Sequence, residues 1–195
     1  MIELLGKSLE ELQSIFKTHN IQKFRAKQLI DYIYHRYIFD FEDMTQFPKD
    51  LRQWLGDNCV ISLPTLITES IAPDGKTRKI LVEMSDQSRV EAVLMEQHYG
   101  YSVCVSSQVG CAMGCVFCAS TQGGLYRDLT VAEIIGQVVI FGALTKEEIH
   151  SVVVMGAGEP LQNYDNVLQA LQLLHDPMIC NISYRKMTIS TCGWV

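Results

Sequence analysis

His150-Ser-Val-Val-Val-Met-Gly-Ala-Gly-Glu-Pro160 is the stretch that decides the fold. Its apolar, β-branched run has the length of one strand and suits a strand buried on both faces. The Gly-Ala-Gly-Glu-Pro turn ends it, and Asn163 to Leu174 then reads as a helix with Val167, Leu168, Leu171 and Leu174 on one side. The same order occurs upstream. Tyr101-Ser-Val-Cys-Val105 is a strand, a cysteine-rich loop follows, and Thr130 with Glu133 forms a capping box before Ile134, Ile135, Val138, Val139 and Phe141. Lys186-Met-Thr-Ile-Ser190 supplies a third strand. Strand–loop–helix repeated in this way predicts an α/β fold with parallel strands and helices outside. Such sheets carry reactive groups on loops at the carboxyl ends of their strands. The cysteine loop, the Gly-Glu-Pro turn and Ser190 all fall at such ends, which predicts one composite site.

Further upstream the texture changes. Leu66–Ile71, Arg78–Glu83 and Val90–Leu94 are short and rich in β-branched residues, with Pro73-Asp-Gly75 as a turn. They predict a small antiparallel segment over 61–97. Residues 1–60 read as a helical module. Ser8 and Glu11 make a capping box before Leu9, Leu12, Ile15 and Phe16. A second helix runs from Phe24 to Tyr37, and a third starts at Pro48 with Leu51, Trp54 and Leu55. The expected domains are therefore 1–60, 61–97 and 98–195. Three parallel strands do not close a β/α barrel, so an open sheet edge or a truncated chain is expected.

The chain is 48% hydrophobic, enough for a substantial core, and 16 basic against 22 acidic residues give a formal charge of −6. That balance disfavours nucleic-acid binding over the whole surface and leaves room for a local patch. Lys23, Arg25 and Lys27 are such a patch, for phosphate contact or simply as a solvated helix start. No apolar run has the length of a membrane span and no secretory signal opens the chain, so a cytoplasmic location is expected. In that compartment seven cysteines, an odd number, favour a metal site over disulfides. Cys111-Ala-Met-Gly-Cys115-Val-Phe-Cys118 clusters three of them. Three thiolates suit an iron–sulfur cluster with one iron open to a ligand from outside the protein. Structural zinc, which prefers four protein ligands in spaced pairs, and redox or packing thiols are the alternatives.

The spacing Cys111, Cys115, Phe117, Cys118 resembles the radical-SAM signature. With Cys104-Val-Ser-Ser-Gln-Val-Gly-Cys111, Met155-Gly-Ala-Gly-Glu-Pro160, Thr188-Ile-Ser-Thr191 and Arg89-Val-Glu-Ala-Val93, the chain resembles the RlmN/Cfr family of radical-SAM ribosomal RNA adenine methyltransferases over its whole length. The resemblance implies a partial radical-SAM (β/α) barrel preceded by the helical module and the antiparallel segment. It implies a [4Fe-4S] cluster on Cys111, Cys115 and Cys118, and S-adenosyl-L-methionine as cofactor. RNA is the implied substrate: adenine of large-subunit rRNA at C2, with C8 as the alternative, and tRNA as a further target. An electron donor such as flavodoxin is an implied partner.

By the same resemblance, Gly158, Glu159 and Ser190 contact the cofactor, Phe117 flanks its adenine, Glu91 is a proton acceptor, and Cys104 forms a transient disulfide. Read without it, Glu159 sits in a plain turn, Ser190 is a cap, Phe117 is packing, Glu91 is a solvated strand residue and Cys104 a small buried one. The cysteine that carries the methyl group in this family has no match here, and neither Cys180 nor Cys192 stands in its place. The chain is thus expected to be inactive alone in methyl transfer. A noncatalytic iron–sulfur or zinc-binding remnant is the alternative function. A radical-SAM enzyme of small molecules is the third, disfavoured by the helical module and the Cys104 run.

Overall fold

The computed structural model describes residues 1–194. The chain enters through a two-residue strand, β1 (Ile2–Glu3), and Ser8 then opens α1 (Leu9–Thr18). The capping box is complete: the Ser8 N–H donates to the Glu11 carboxylate at 2.8 Å and the Glu11 N–H to the Ser8 hydroxyl at 3.2 Å. Two otherwise unpaired helix-start donors are thereby satisfied. Helix α2 (Phe24–Ile30) runs on into a π-helical turn, Asp31–His35, in which Tyr32, Ile33 and Tyr34 are all buried. Pro48 stands just outside α3 (Lys49–Asn58), because its extended ψ makes it the cap and not the first helical residue. Strand β2 (Cys59–Val60) then pairs in parallel with β1, Ile2 opposite Cys59, so the two ends of the helical module are tied together.

The remaining strands are β3 (Thr65–Ile71), β4 (Thr77–Glu83), β5 (Arg89–Gln97), β6 (Gly100–Val105), β7 (Gln108–Gly110), β8 (Leu125–Asp128), β9 (Ile149–Val154) and β10 (Met187–Ile189); α4 (Val131–Thr145) precedes β9 and α5 (Tyr164–His175) precedes β10. Six of them form one sheet in the order β10-β9-β6-β5-β4-β3. From β3 to β6 the pairing is antiparallel, and from β6 to β10 it is parallel. β6 is therefore the switch strand, and position 97/98 lies within a continuous sheet.

One face of this sheet carries Ile80, Val82, Val90, Ala92, Leu94, Val103, Val105, Val152 and Val154, all buried. The other face, with Leu81, Glu91, Val93, Cys104 and Val153, is open or half-open. The expectation that β9 is buried on both faces thus holds fully on one side only: helices cover Val152 and Val154, while on the other side Ser151 is buried and Val153 half-buried. Helix α4 is buried continuously from Ala132 to Gly142. An apolar helix with no polar face needs cover all round. One hydrophobic core joins α4, the sheet and the N-terminal helices, and the Thr130–Glu133 capping box opens α4 as expected. No helix among the described residues is long and apolar enough to cross a membrane.

Candidate functional site

The cysteine loop grows from a hairpin that the sequence does not announce. β7 and β8 pair Gln108 with Asp128, Val109 with Arg127 and Gly110 with Leu125, and the Cys111 N–H donates to the Gly124 carbonyl at 3.1 Å. Gly110 has φ +75, and a Cβ there would overlap the Gly124 oxygen, so only glycine lets the stems meet. Arg127 braces the outgoing stem. Its guanidinium donates to Asp86 at 2.6 Å, to Ser88 at 2.9 Å and to both oxygens of Glu133 at 2.7 and 2.9 Å. The Arg127 bond, with those that the Ser88 hydroxyl and N–H donate to Asp86, holds the Asp86 carboxyl well below the usual carboxylate range. Within the loop, the Cys118 N–H donates to the Cys115 carbonyl at 3.0 Å, and the Thr121 hydroxyl to the Cys118 carbonyl at 3.1 Å. Cys111 is buried, Cys115 and Cys118 are half-exposed, and Phe117 is 89% exposed. Ordinary packing therefore does not account for Phe117.

A cavity of about 310 Å³ lies against this loop. Cys111, Cys115, Phe117 and Cys118 line it from the loop, Met155, Gly156, Gly158 and Glu159 from the end of β9, and Ser190, Thr191 and Cys192 from the end of β10. Three strand ends thus contribute to one site, as the α/β pattern requires. Glu159 is its fixed point. The residue is 2% exposed. It accepts the Thr191 hydroxyl at 2.7 Å, the Cys192 N–H at 2.9 Å, the Cys192 thiol at 3.0 Å and the Leu161 N–H at 2.9 Å. Burial alone would raise its pKa, but these donors favour the anion and the net shift is downward. The Cys192 thiol is pushed up to about 11, first by its hydrogen bond to Glu159, then by desolvation and by the charges of Glu159 and Cys115.

Glu91 and Cys104 lie outside this lining. The β5–β6 register sets Val93 opposite Cys104, which puts Glu91 on the same open face as Cys104, one diagonal away. Glu91 is exposed and pairs with Lys79 at 2.9 Å. Burial raises the pKa of the half-buried Cys104 thiol, against a hydrogen bond from the Met155 backbone. In the basic patch, Arg25 is engaged internally. It donates to Gln28 at 2.8 Å and to the Gln46 carbonyl at 3.1 Å, and lies 4.7 Å from the Phe24 ring centre.

Sequence reasoning missed the polar turn that carries the loop. Ser106, Ser107 and Gln108 are buried. The Gln137 amide grips Ser106 in both directions, accepting its N–H at 2.8 Å and donating to its carbonyl at 3.0 Å. Asn163 donates to the carbonyls of Ser107 and Leu129, both at 2.8 Å. The Ser106 hydroxyl accepts the Ala157 N–H at 2.9 Å and donates to the Glu91 carbonyl at 2.8 Å. This turn also explains the glycines after β9. A Cβ on Gly156 would lie 2.5 Å from the Ser106 hydroxyl, and one on Gly158 would lie 2.6 Å from the Gln108 Cβ. They admit the neighbouring turn. The available signal was a run of neutral polar residues, Ser-Ser-Gln, at the end of an apolar strand.

Cys111, Cys115 and Cys118 are three thiolates within eight residues on one loop, a donor set that fits an iron–sulfur cubane, in which each thiolate takes its own iron, whereas structural zinc prefers four protein ligands.

The family model described as the ribosomal RNA large subunit methyltransferase N-terminal domain matches residues 2–61, and that of the radical SAM superfamily matches residues 105–195. A probable dual-specificity RNA methyltransferase RlmN of Symbiobacterium thermophilum is 48% identical over 194 residues, 98% of this chain and 52% of that protein. The corresponding protein of Clostridium perfringens is 44% identical over 195 residues, 100% of this chain and 56% of that protein. The crystal structure of a radical SAM methyltransferase from Sphaerobacter thermophilus superposes with a TM-score of 0.93 at 34% identity, covering 100% of this chain and 58% of that one. The chain spans about half the length of the curated relatives it matches.

Proposed function

The chain belongs to the RlmN family of radical-SAM methyltransferases, and on that premise we propose that it serves the methylation of adenine in large-subunit ribosomal RNA, at C2, with tRNA as a further substrate. The observation that carries the reading is the shared cavity of Cys111, Cys115 and Cys118 with Glu159 and Ser190. In this reading Cys111, Cys115 and Cys118 would hold a [4Fe-4S] cluster, which when bound would supply one-electron reductive chemistry toward S-adenosyl-L-methionine, with a donor such as flavodoxin as the source of the electron.

This chain's own residues do the positioning. The Glu159 carboxylate, kept ionised by its donors, meets the cofactor's ammonium through a charge-assisted hydrogen bond. The Ser190 hydroxyl meets the carboxylate of the cofactor. Phe117, exposed beside the loop, flanks the adenine and excludes water from it. Glu91 serves as proton acceptor toward the substrate base, and Cys104 as the thiol of a transient disulfide. Their common support is the open sheet face they share. Lys23 and Lys27, both exposed, provide phosphate contacts.

Anaerobic reconstitution with iron and sulfide, followed by a cofactor-cleavage assay under a strong reductant, tests the proposal. It expects about four irons per chain and release of 5′-deoxyadenosine. Stoichiometric zinc without iron uptake would overturn it.

A further inference from the structure

Gln108 is fully buried, and its amide reaches three partners on two segments at once. Its Oε1 accepts the Glu159 N–H at 2.8 Å, while its Nε2 donates to the Asp128 carboxylate at 2.7 Å and to the Gln162 Oε1 at 3.3 Å. Its own N–H donates to the Ala157 carbonyl at 3.1 Å. Gln108 opens β7 and Asp128 closes β8, so this side chain clasps both stems of the cysteine loop and ties them to the Gly-Glu-Pro turn. We propose that Gln108 is a positioning residue, which fixes the cysteine loop relative to the Glu159 carboxylate and so sets how the cofactor sits on the cluster. The inference rests on the radical-SAM reading above.

The chemistry demands this side chain. One acceptor must face a buried N–H while one donor faces a carboxylate, and an uncharged amide offers both. Leucine would fill the space and leave the Glu159 N–H unpartnered. Glutamate would accept that N–H and set a second carboxylate against Asp128. The charge is movable, however. With Asp128→Asn beside Gln108→Glu, the amide now on β8 donates to the carboxylate now on β7, and the same bond forms with its polarity reversed.

A structural brace and a positioning residue differ in what they change. Loss of a brace lowers folding stability and cluster uptake together, and leaves the cofactor affinity of loaded chains unchanged. Loss of a positioning residue leaves iron in place and weakens the cofactor. The test is made on the 195-residue chain reconstituted without oxygen. It measures iron per chain, thermal unfolding, affinity for labelled S-adenosyl-L-methionine by equilibrium dialysis, and the cofactor-induced change in the electron paramagnetic resonance of the reduced cluster.

Gln108→Leu should keep wild-type iron, bind the cofactor about tenfold more weakly and show a diminished spectral change. Gln108→Glu should behave alike, and Gln108→Glu with Asp128→Asn should return to within about threefold of wild type. Wild-type affinity in Gln108→Leu overturns the proposal. If that variant does not fold, the charge-reversed pair decides: a double variant no better than Gln108→Glu overturns the proposal too. A wild-type chain that takes up no iron overturns the functional reading and this one with it. A wild-type chain that loads and binds, beside variants that match it, overturns this one alone.

Discussion

The carboxylate of Glu159 accepts the thiol of Cys192 at 3.0 Å, so the turn after β9 and the turn after β10 are joined inside the cavity. This bond and its neighbours lower the Glu159 pKa, and a group depressed in the folded state makes stability depend on pH. The stabilisation is fully present above the unfolded carboxyl value of 4.5 and is lost as pH falls through the lower folded value. Thermal midpoints of wild type and Glu159→Gln should therefore differ most at neutral pH and converge in acid, below about pH 4. Curves that stay parallel down to acid pH would mean that the carboxylate charge contributes nothing.

The same bond controls the chemistry of the sulfur. With its thiol pushed up to about 11, Cys192 is almost wholly protonated at pH 8, and thiols react as thiolates. Iodoacetamide should modify Cys192 slowly in the metal-free chain although the residue is exposed. In Glu159→Gln the carboxylate is gone, and the rate should rise roughly tenfold or more. Mass spectrometry of the peptide carrying Cys192 reads the outcome, and equal rates would remove Glu159 as the cause.

Two glycines of the site should respond differently to a methyl group. Gly158 has φ +108, and its Cβ would lie 2.6 Å from both the Ser107 hydroxyl and the Gln108 Cβ. Backbone strain and overpacking then act together, and Gly158→Ala should cost about 3 kcal/mol. Gly114 has φ +67 with open space around its Cβ, so Gly114→Ala should cost only about 1 kcal/mol. Urea unfolding measures both, and comparable losses would mean that crowding by the Ser106–Gln108 turn is unimportant.

What the sequence reveals depends on how locally each feature is encoded. The Ser8 and Thr130 capping boxes and the β-branched runs act within a few residues, and each yields its element where expected. The β1–β2 pair and the β7–β8 hairpin do not, because strands of two to four residues carry no readable period and their partners lie a long loop away. That β9 is fully buried on one face and only partly on the other is a tertiary fact that Val152-Val153-Val154 cannot express. Strand-end logic brings Cys111, Cys115, Phe117, Cys118, Gly158, Glu159 and Ser190 into one cavity. It does not foresee that Gly156 and Gly158 face Ser106 and Gln108, since nothing in a Gly-x-Gly pattern says what approaches it.

Arg127 makes a prediction about the loop as a unit. Its side chain is 26% exposed, and its guanidinium serves Asp86, Ser88 and Glu133 together, joining the stem of β8 to the β4–β5 turn and the start of α4. Lysine offers a single ammonium and cannot span the three partners. Arg127→Lys should therefore lower the thermal midpoint by several degrees, the effect of about 1–2 kcal/mol in a chain of this size, and increase protease cleavage between β7 and β8. Unchanged cleavage there would make the clamp a surface ion pair with no hold on the loop.

Iron content tests the thiols themselves. Cys115 lines the cavity, whereas Cys59 is buried at the start of β2, opposite Ile2, with its thiol pushed up to about 11 by burial. The two differ in what removal leaves behind. On the proposed reading, Cys115→Ala would remove one of the three thiolates available to a cluster and leave two to hold it. Cys59→Ala leaves a small apolar cavity and costs about 1 kcal/mol, with no route to the metal. After anaerobic reconstitution, iron and sulfide should collapse in Cys115→Ala and stay at the wild-type level in Cys59→Ala. Cys111→Ala and Cys118→Ala should follow Cys115→Ala, since a cubane short of any one thiolate is equally short. Full iron in Cys115→Ala would show that the cluster sits on other residues, and the cavity between β7 and β10 would then need a different occupant.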